Sequence, residues 1–447
     1  MSFPCVVRVD ILVSRNARQP ANFLKGTRIK SGRPYDQPVP LVLTACLALV
    51  LAALALALDD GGEGGEPAAR LRPDSLAKIV ERVERERGLS FERVPRPAAV
   101  TPAQARREGM ASLDADYPPA RRRADAEVLA LLGLVPPGTD LADAYASTLT
   151  EAVAGYYDPR EHHLRIVKGA QTANRVLYEM VLAHELTHAL EDQRFRFDLD
   201  ALAAGGDRAF ALTALIEGTA TAMMYRYVKA RFGREELLGG LLASAFGGTG
   251  DLPPFLTAQL VFPYVQGEQF VARLLEIGDG WRVVDATLRF RPPVSTEQIL
   301  HPDSYLRVER PRRVSLRGPR SVLGAGWRPA LRSTFGEFQT QKLLARAGGT
   351  ESADAAAGWG GDHYALLERD GERVLVMRWV WDSGTDEAEF AAALRAWGND
   401  GLPDSEPAGA GAWRTPDGAA AMALRGGAVT LAVAPSLELA RRVVGAH

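Results

Sequence analysis

The sequence predicts an α+β fold: a mostly helical domain followed by a small α+β domain built on an antiparallel sheet. Three observations lead to this. Apolar residues recur at helical spacing through most of residues 73–344. From about Asp362 the period changes, and Tyr364–Glu368, Val374–Trp381, Ala419–Leu424 and Val429–Val433 read as strands. The chain has 447 residues, 47% of them hydrophobic, which is enough for more than one core. On this reading residues 1–58 precede the folded part, 59–350 form the helical domain and 351–447 the α+β domain.

Composition narrows the function. The formal net charge is −2. Arginines outnumber lysines 47 to 6, but acids are interleaved with them throughout, so no nucleic-acid-binding surface is expected. Cys5 and Cys46 are the only cysteines, which excludes a disulfide framework and any cysteine-ligated metal.

The elements follow in order. Val39–Leu58 is an uncharged apolar run of 20 residues, long enough to span roughly 30 Å of hydrocarbon. Seven basic residues against two acidic ones precede it, and an acidic, glycine-rich stretch follows. The charge difference predicts that the rest of the chain is extracytoplasmic. It would be either membrane-anchored by residues 39–58 or secreted after cleavage near Ala57, in the A-x-A-like Ala55-Leu56-Ala57. Pro73–Gly88 reads as a helix with Leu76, Ile79, Val80 and Val83 on one face. Helices are expected near 101–115, 123–134 and 139–154. Gly155-Tyr-Tyr-Asp-Pro159 reads as a turn, and Leu164–Val167 as the second arm of a hairpin whose exposed edge would pair with an extended substrate. Thr172, as N-cap, would open a long helix to Gln193, and a second long helix runs from Ala209 to Phe232. In the C-terminal domain, Thr385 would cap a helix presenting Phe390, Leu394 and Trp397. Gly426-Gly427 turns one strand into the next, and Ser436–Val444 is a final helix.

The chemistry is concentrated in His184-Glu-Leu-Thr-His188. On a helix, positions i and i+4 share a face, so both imidazoles can reach one metal ion, and neutral imidazole is a good zinc ligand. Glu185 lies between them, placed to take a proton from a water. The flank Val181-Leu182-Ala183 and Ala189-Leu190 is apolar, as a buried metal helix requires. The third ligand decides the class. A metzincin would carry a glycine at position 191 and a histidine at position 194, but this chain has Glu191 and Arg194. A gluzincin takes a Glu from a second helix. Glu217 suits that role, because a lone carboxylate amid Leu212, Leu215, Ile216, Ala220 and Met223 is costly to bury unless something compensates it. Asp192, one turn beyond His188, is the rival ligand, and an exposed Glu217 on an amphipathic helix is the plainer alternative. Four residues beyond Glu217, where many gluzincins carry an Asp, stands Thr221. For the charge that develops on a substrate oxygen, His301 is the candidate donor, with Glu297 orienting its ring. Tyr305 and Tyr264 are alternatives, and the segment around His301 would otherwise serve as a brace.

These residues also carry a resemblance. Gly155-Tyr-Tyr-Asp-Pro159, His184-Glu-Leu-Thr-His-Ala-Leu190, Glu217-Gly-Thr-Ala220, Phe262-Pro-Tyr264 with Gly267, Ser295-Thr-Glu-Gln-Ile-Leu-His-Pro302 and Gly358-Trp-Gly-Gly-Asp362 resemble a group of bacterial and archaeal gluzincin-like zinc metallopeptidases, over about residues 130–390. The resemblance implies a zincin-like domain over 59–350. It agrees with the reading from the residues themselves: Zn²⁺ on His184, His188 and Glu217, Glu185 as general base, and a peptide or protein substrate, although the resemblance itself names no substrate.

Overall fold

The computed structural model describes residues 75–149, 155–168, 175–232, 252–348 and 350–447. The apolar run Val39–Leu58, the cleavage site at Ala57, both cysteines and the Thr172 cap lie outside the described residues. The expectation of a transmembrane segment is corrected: among the described residues no helix is long and apolar enough to cross a membrane, and membrane attachment is withdrawn.

The helical part opens with α1 (Leu76–Arg87), which ends at Gly88 in the left-handed region, φ 72°. The short strand β1 (Ala98–Val100) leads into α2 (Pro102–Asp116), α3 (Pro119–Leu131) and α4 (Leu141–Leu149). Thr101 and Gln104 form a reciprocal capping box at the start of α2. Gly155 to Asp158, read from sequence as a turn, is instead strand β2, paired antiparallel with β3 (His163–Val167). β1 runs parallel to β3 on its other side, so the order is β1-β3-β2. This corrects the expected substrate edge: β3 is the central strand, and the edges belong to β1 and β2.

Four long or central helices follow: α5 (Arg175–Phe195), α6 (Gly206–Phe232), α7 (Pro254–Ile277) and α8 (Trp281–Phe290). Every residue of α5 from Glu179 to Asp192 is buried, which marks it as a helix enclosed on all sides. Leu182, Ala183, Leu186 and Leu190 pack against Ile79, Val80 and Val83 of α1, Leu164 and Ile166 of β3, and Met223 and Tyr227 of α6. Helices α6 and α7 meet at Gly218 and Gly267. A β-carbon on Gly218 would stand 2.8 Å from the Glu268 nitrogen and closer still to the Gly267 carbonyl group. Backbone therefore lies on backbone, in the residue following Glu217. The short helices α9 (Thr296–Leu300) and α10 (Pro302–Leu306) come next, with Ser295 capping α9.

The C-terminal part is an α+β arrangement, as the sequence predicts. Seven strands in order β4-β5-β6-β10-β9-β8-β7 form one antiparallel sheet. They are β4 (Arg328–Ser333), β5 (Trp359–Arg369), β6 (Glu372–Trp381), β7 (Glu406–Pro407), β8 (Ala412–Thr415), β9 (Gly418–Leu424) and β10 (Ala428–Ala434). Helix α11 (Gly336–Leu344) lies between β4 and β5, and α12 (Gly384–Ala396) follows β6. Ser383 caps α12 rather than Thr385, with Asp386 completing the capping box. Alternation sorts the strands by face. Leu375, Met377, Trp379 and Trp381 join Phe390 and Leu394 of α12, together with Val181 of α5, Met224 of α6 and Tyr264 of α7. Val374 and Val376 face the other way, toward Ala440, Val443 and Val444 of α13 (Leu437–Ala446). The sheet and the site-bearing helices thus share one apolar cluster, which holds α5, α6 and α7 in fixed relation.

Candidate metal centre

His184 and His188 sit one turn apart on α5, and Glu217 reaches them from α6. The two Nε2 atoms are 2.9 Å apart, and Glu217 Oε2 is 3.2 Å from His184 Nε2 and 3.5 Å from His188 Nε2. All three side chains are buried. Away from this meeting point, both Nδ1 atoms and Glu217 Oε1 are buried without a hydrogen-bond partner. Two imidazole nitrogens and a carboxylate oxygen that converge on one buried point make an arrangement that a cation can occupy.

The electrostatics reflect burial and close charge. Burial pushes the His184 pKa down, against the pull of its bond to Glu217. Burial also opposes a charge on His188, but the carboxylates of Glu217, Glu185 and Glu191 outweigh it and hold its pKa up, at about 9. Glu217 is the counterpart: burial would raise it, and the two imidazoles, His188 first, bring it below its ordinary value. Burial raises Glu185 to about 8, moderated by His188.

Glu185 is held from outside the motif. Its Oε2 accepts the backbone N–H of Tyr157 at 2.7 Å, so the β2 strand positions the carboxylate beside the histidines. The Tyr157 hydroxyl donates to Asp192 Oδ2 at 2.8 Å. Asp192 also accepts the Phe197 N–H at 3.2 Å and lies 3.0 Å from His162 Nδ1. The structure therefore brings Glu217 to the histidine pair, whereas Asp192 binds the β2–β3 hairpin. Tyr264 stacks on His184, with ring centroids 6.2 Å apart, and Phe197 lies edge-on to His188. Thr221 is buried, its hydroxyl without a partner. Beneath the site, Arg87 of α1 pairs with Glu191 and Asp285 at 2.7 Å each, with the Arg87 and Glu191 side chains fully buried.

His301 stands in a different cluster. Its Nε2 lies 2.7 Å from Glu337 Oε1, so Glu337 takes the place expected of Glu297. Glu297 itself approaches Glu309 and Asp382. Burial lifts Glu297 to about 8, with Glu337 the largest charge contribution. The Tyr305 hydroxyl is engaged by the Arg291 carbonyl and Thr287, at 2.8 and 3.0 Å. The segment around His301 also anchors the start of α6: the Thr296 N–H and hydroxyl both donate to buried Asp207.

Reading from sequence missed Tyr157 as the support of Glu185, because the group involved is a backbone N–H, which no side-chain motif reveals. It also missed the His162–Asp192 contact, whose partners are 30 residues apart.

Residues 328–444 match the family described as a domain of unknown function, DUF8575. The match begins at the first residue of β4 and ends within α13. A solved protein from Chloroflexus aurantiacus, described as a candidate hydrolase with a novel fold, aligns with 60% of this chain and 99% of its own at 17% identity and a TM-score of 0.33, a likeness too distant to carry an argument. No curated protein matches the chain.

Proposed function

We infer that the chain is a gluzincin-like zinc metallopeptidase acting outside the cytoplasm. The observation that carries this reading is the meeting of His184, His188 and Glu217 at 2.9–3.5 Å in a buried cage, with the Glu185 carboxylate held beside it by a separate bond. A tetrahedral ion with bonds of about 2.0–2.1 Å needs ligand atoms roughly 3.3 Å apart, and the observed spacings bracket that value. The donor set of two imidazoles and one carboxylate, with no thiolate, suits zinc in a hydrolytic site. The Glu217 carboxylate is fully buried, with Oε2 shared between the two imidazoles and Oε1 without a partner.

When bound, zinc would supply Lewis-acid polarisation for hydrolysis. The rest falls to the protein's own groups. Glu185 would take a proton from the attacking water and pass it to the departing amine nitrogen. The Tyr157 N–H fixes one carboxylate oxygen of Glu185 and leaves the other for that proton. An extended peptide would lie along the edge of β2. Export is supported by the charge difference around Val39–Leu58 and by the absence of cysteine from residues 59–447.

A peptide-library digest tests the reading. The purified protein is expected to cleave library peptides, and Glu185→Gln to abolish cleavage while zinc remains bound. Zinc binding without cleavage of any peptide would favour a metal-stabilised scaffold. Cleavage of non-peptide amides alone would move the activity to another class of zinc hydrolase.

A further inference from the structure

A cavity of about 140 Å³ lies where the helical part meets the C-terminal sheet, and none of His184, Glu185, His188 or Glu217 lines it. A cavity of roughly 150 Å³ is enough to take up one benzene ring. Much of the wall is aromatic: Tyr117 after α2, Phe210 of α6, Phe335 before α11 and Tyr364 of β5. The charged groups in the lining are Arg121 and Asp125, one turn apart on α3.

Asp125 is already engaged. Its Oδ2 accepts the Arg121 Nε–H and the Tyr117 hydroxyl, each at 2.8 Å, and the Tyr364 hydroxyl donates to Oδ1 at 3.5 Å. Burial first, and then the Asp125 charge, raises the pKa of both tyrosines, so both remain O–H donors. Arg121 is not used up in the same way. Its bond to Asp125 takes Nε alone, and Nη1 and Nη2 make no hydrogen bond among the described residues. That outer edge of the guanidinium faces glycine. A β-carbon on Gly205, φ 65°, would stand 3.2 Å from Nη2, and one on Gly206, φ 73°, would stand 2.7 Å from Ser333 Oγ. Two successive left-handed residues, a conformation glycine takes up freely, thus keep the floor of the cavity open beneath the guanidinium. Gln259 of α7 and Gln339 of α11 add two carboxamides to the lining.

We propose that this cavity binds a small carboxylic acid with a compact apolar body, its carboxylate taken by the outer edge of the Arg121 guanidinium and its body by the aromatic wall. A planar fork of N–H groups is the natural partner of a carboxylate, and its strength grows where water is partly excluded. The volume limits the body to about one ring. Ser333, Phe335, Gln339 and Tyr364 belong to the segment that matches DUF8575, whereas Arg121 and Asp125 come from the helical part, so the ligand would touch both. The site is independent of the metallopeptidase reading.

The test uses the full chain with Arg121→Met, Arg121→Lys and Gly205→Ala. The probes are sodium benzoate, benzamide, which has the same shape without the charge, and sodium acetate, which has the carboxylate without the ring. Titration calorimetry reads affinity, near-UV circular dichroism reads native packing, and elemental analysis reads zinc. Benzoate is expected to bind wild type, with benzamide and acetate each about tenfold weaker or more. Arg121→Met is expected to lose roughly 10–100-fold in benzoate affinity and to leave benzamide unchanged. Arg121→Lys keeps a charge beside Asp125 but loses the fork, and is expected to lose about tenfold. It carries the test if Arg121→Met fails to fold. Gly205→Ala covers the same edge with Arg121 in place and is expected to lose a comparable amount. Equal affinity for benzoate and benzamide would overturn the inference. So would wild-type benzoate affinity in natively packed Arg121→Met or Arg121→Lys, the result expected if benzoate binds at a metal ion instead. Failure of wild type to bind benzoate would overturn it as well. Zinc content is expected to be the same in all four proteins, so none of these results bears on the proposed function.

Discussion

Gly218→Ala is expected to force apart the two helices that hold the third metal ligand. The new β-carbon would sit 2.8 Å from the Glu268 nitrogen and nearer still to the Gly267 carbonyl. Ordinary contacts between such atoms are about 3.5–4.0 Å, so clearing the nearer Gly267 carbonyl requires α6 and α7 to separate locally by more than about 1 Å. Neither obstacle can swing aside, because both are helix backbone. Overpacking of this kind costs about 1–3 kcal/mol. Alanine recovers up to about 1 kcal/mol through its helix propensity, so a net loss of about 1–2 kcal/mol is expected. The effect on metal binding is larger, because Glu217 is the neighbouring residue and ligand distances tolerate only about 0.2 Å. Gly267→Ala meets the other side of the same contact, 2.9 Å from the Ala214 carbonyl carbon and 3.2 Å from the Gly218 Cα, and is expected to behave alike. Gly384→Ala, where an added β-carbon meets nothing within 4 Å, is the control. Urea unfolding reports the stability, and zinc competition against a chromophoric chelator reports the affinity. Wild-type values for both in Gly218→Ala would refute the claim that this glycine contact positions Glu217.

Arg87→Met leaves Glu191 buried without its counter-charge and is expected to cost about 3–5 kcal/mol in denaturant unfolding, with Arg87→Met/Glu191→Leu recovering much of it. Asp362 accepts the N–H groups of Phe335 and Gly336, both at 2.7 Å, and of the Trp359 ring at 3.0 Å, so Asp362→Asn is expected to destabilise by about 1–3 kcal/mol. Burial raises the Asp362 pKa to about 6 despite those donors. The folded state therefore binds this proton more tightly than the unfolded chain, whose carboxylate titrates near about 4. Its contribution to stability is fully present below about pH 4 and is lost as pH rises to about 6, by the sign of the linkage relation. The stability gap between wild type and Asp362→Asn is thus expected to narrow across that window. A constant gap in urea midpoints from pH 4 to 7 would contradict it.

Much of the site could be read from the sequence where periodicity alone places a side chain. His184 and His188 follow from i, i+4 spacing. Glu217 follows from an acid in an apolar run, and β6 and β10 from short runs of apolar, β-branched and aromatic residues. What escaped depends on partners distant in the chain. β4 carries Pro329 and mostly exposed side chains, so it shows no buried alternation and becomes a strand only through pairing with β5. Gly155 and Pro159 bracket β2 like turn residues, yet β3 on one side and Glu185 on the other draw it into extended form. Glu337 lies 36 residues beyond His301, and no local pattern distinguishes it from Glu297 as the ring's partner.

The central claim is that His184, His188 and Glu217 hold one zinc ion while Glu185 does not. Elemental analysis of the purified protein, alongside His184→Ala, Glu217→Ala and Glu185→Gln, tests it most directly. The expected result is about one zinc per chain in wild type and in Glu185→Gln, with most of it gone from the other two. Full zinc in Glu217→Ala together with its loss from Asp192→Ala would contradict the account.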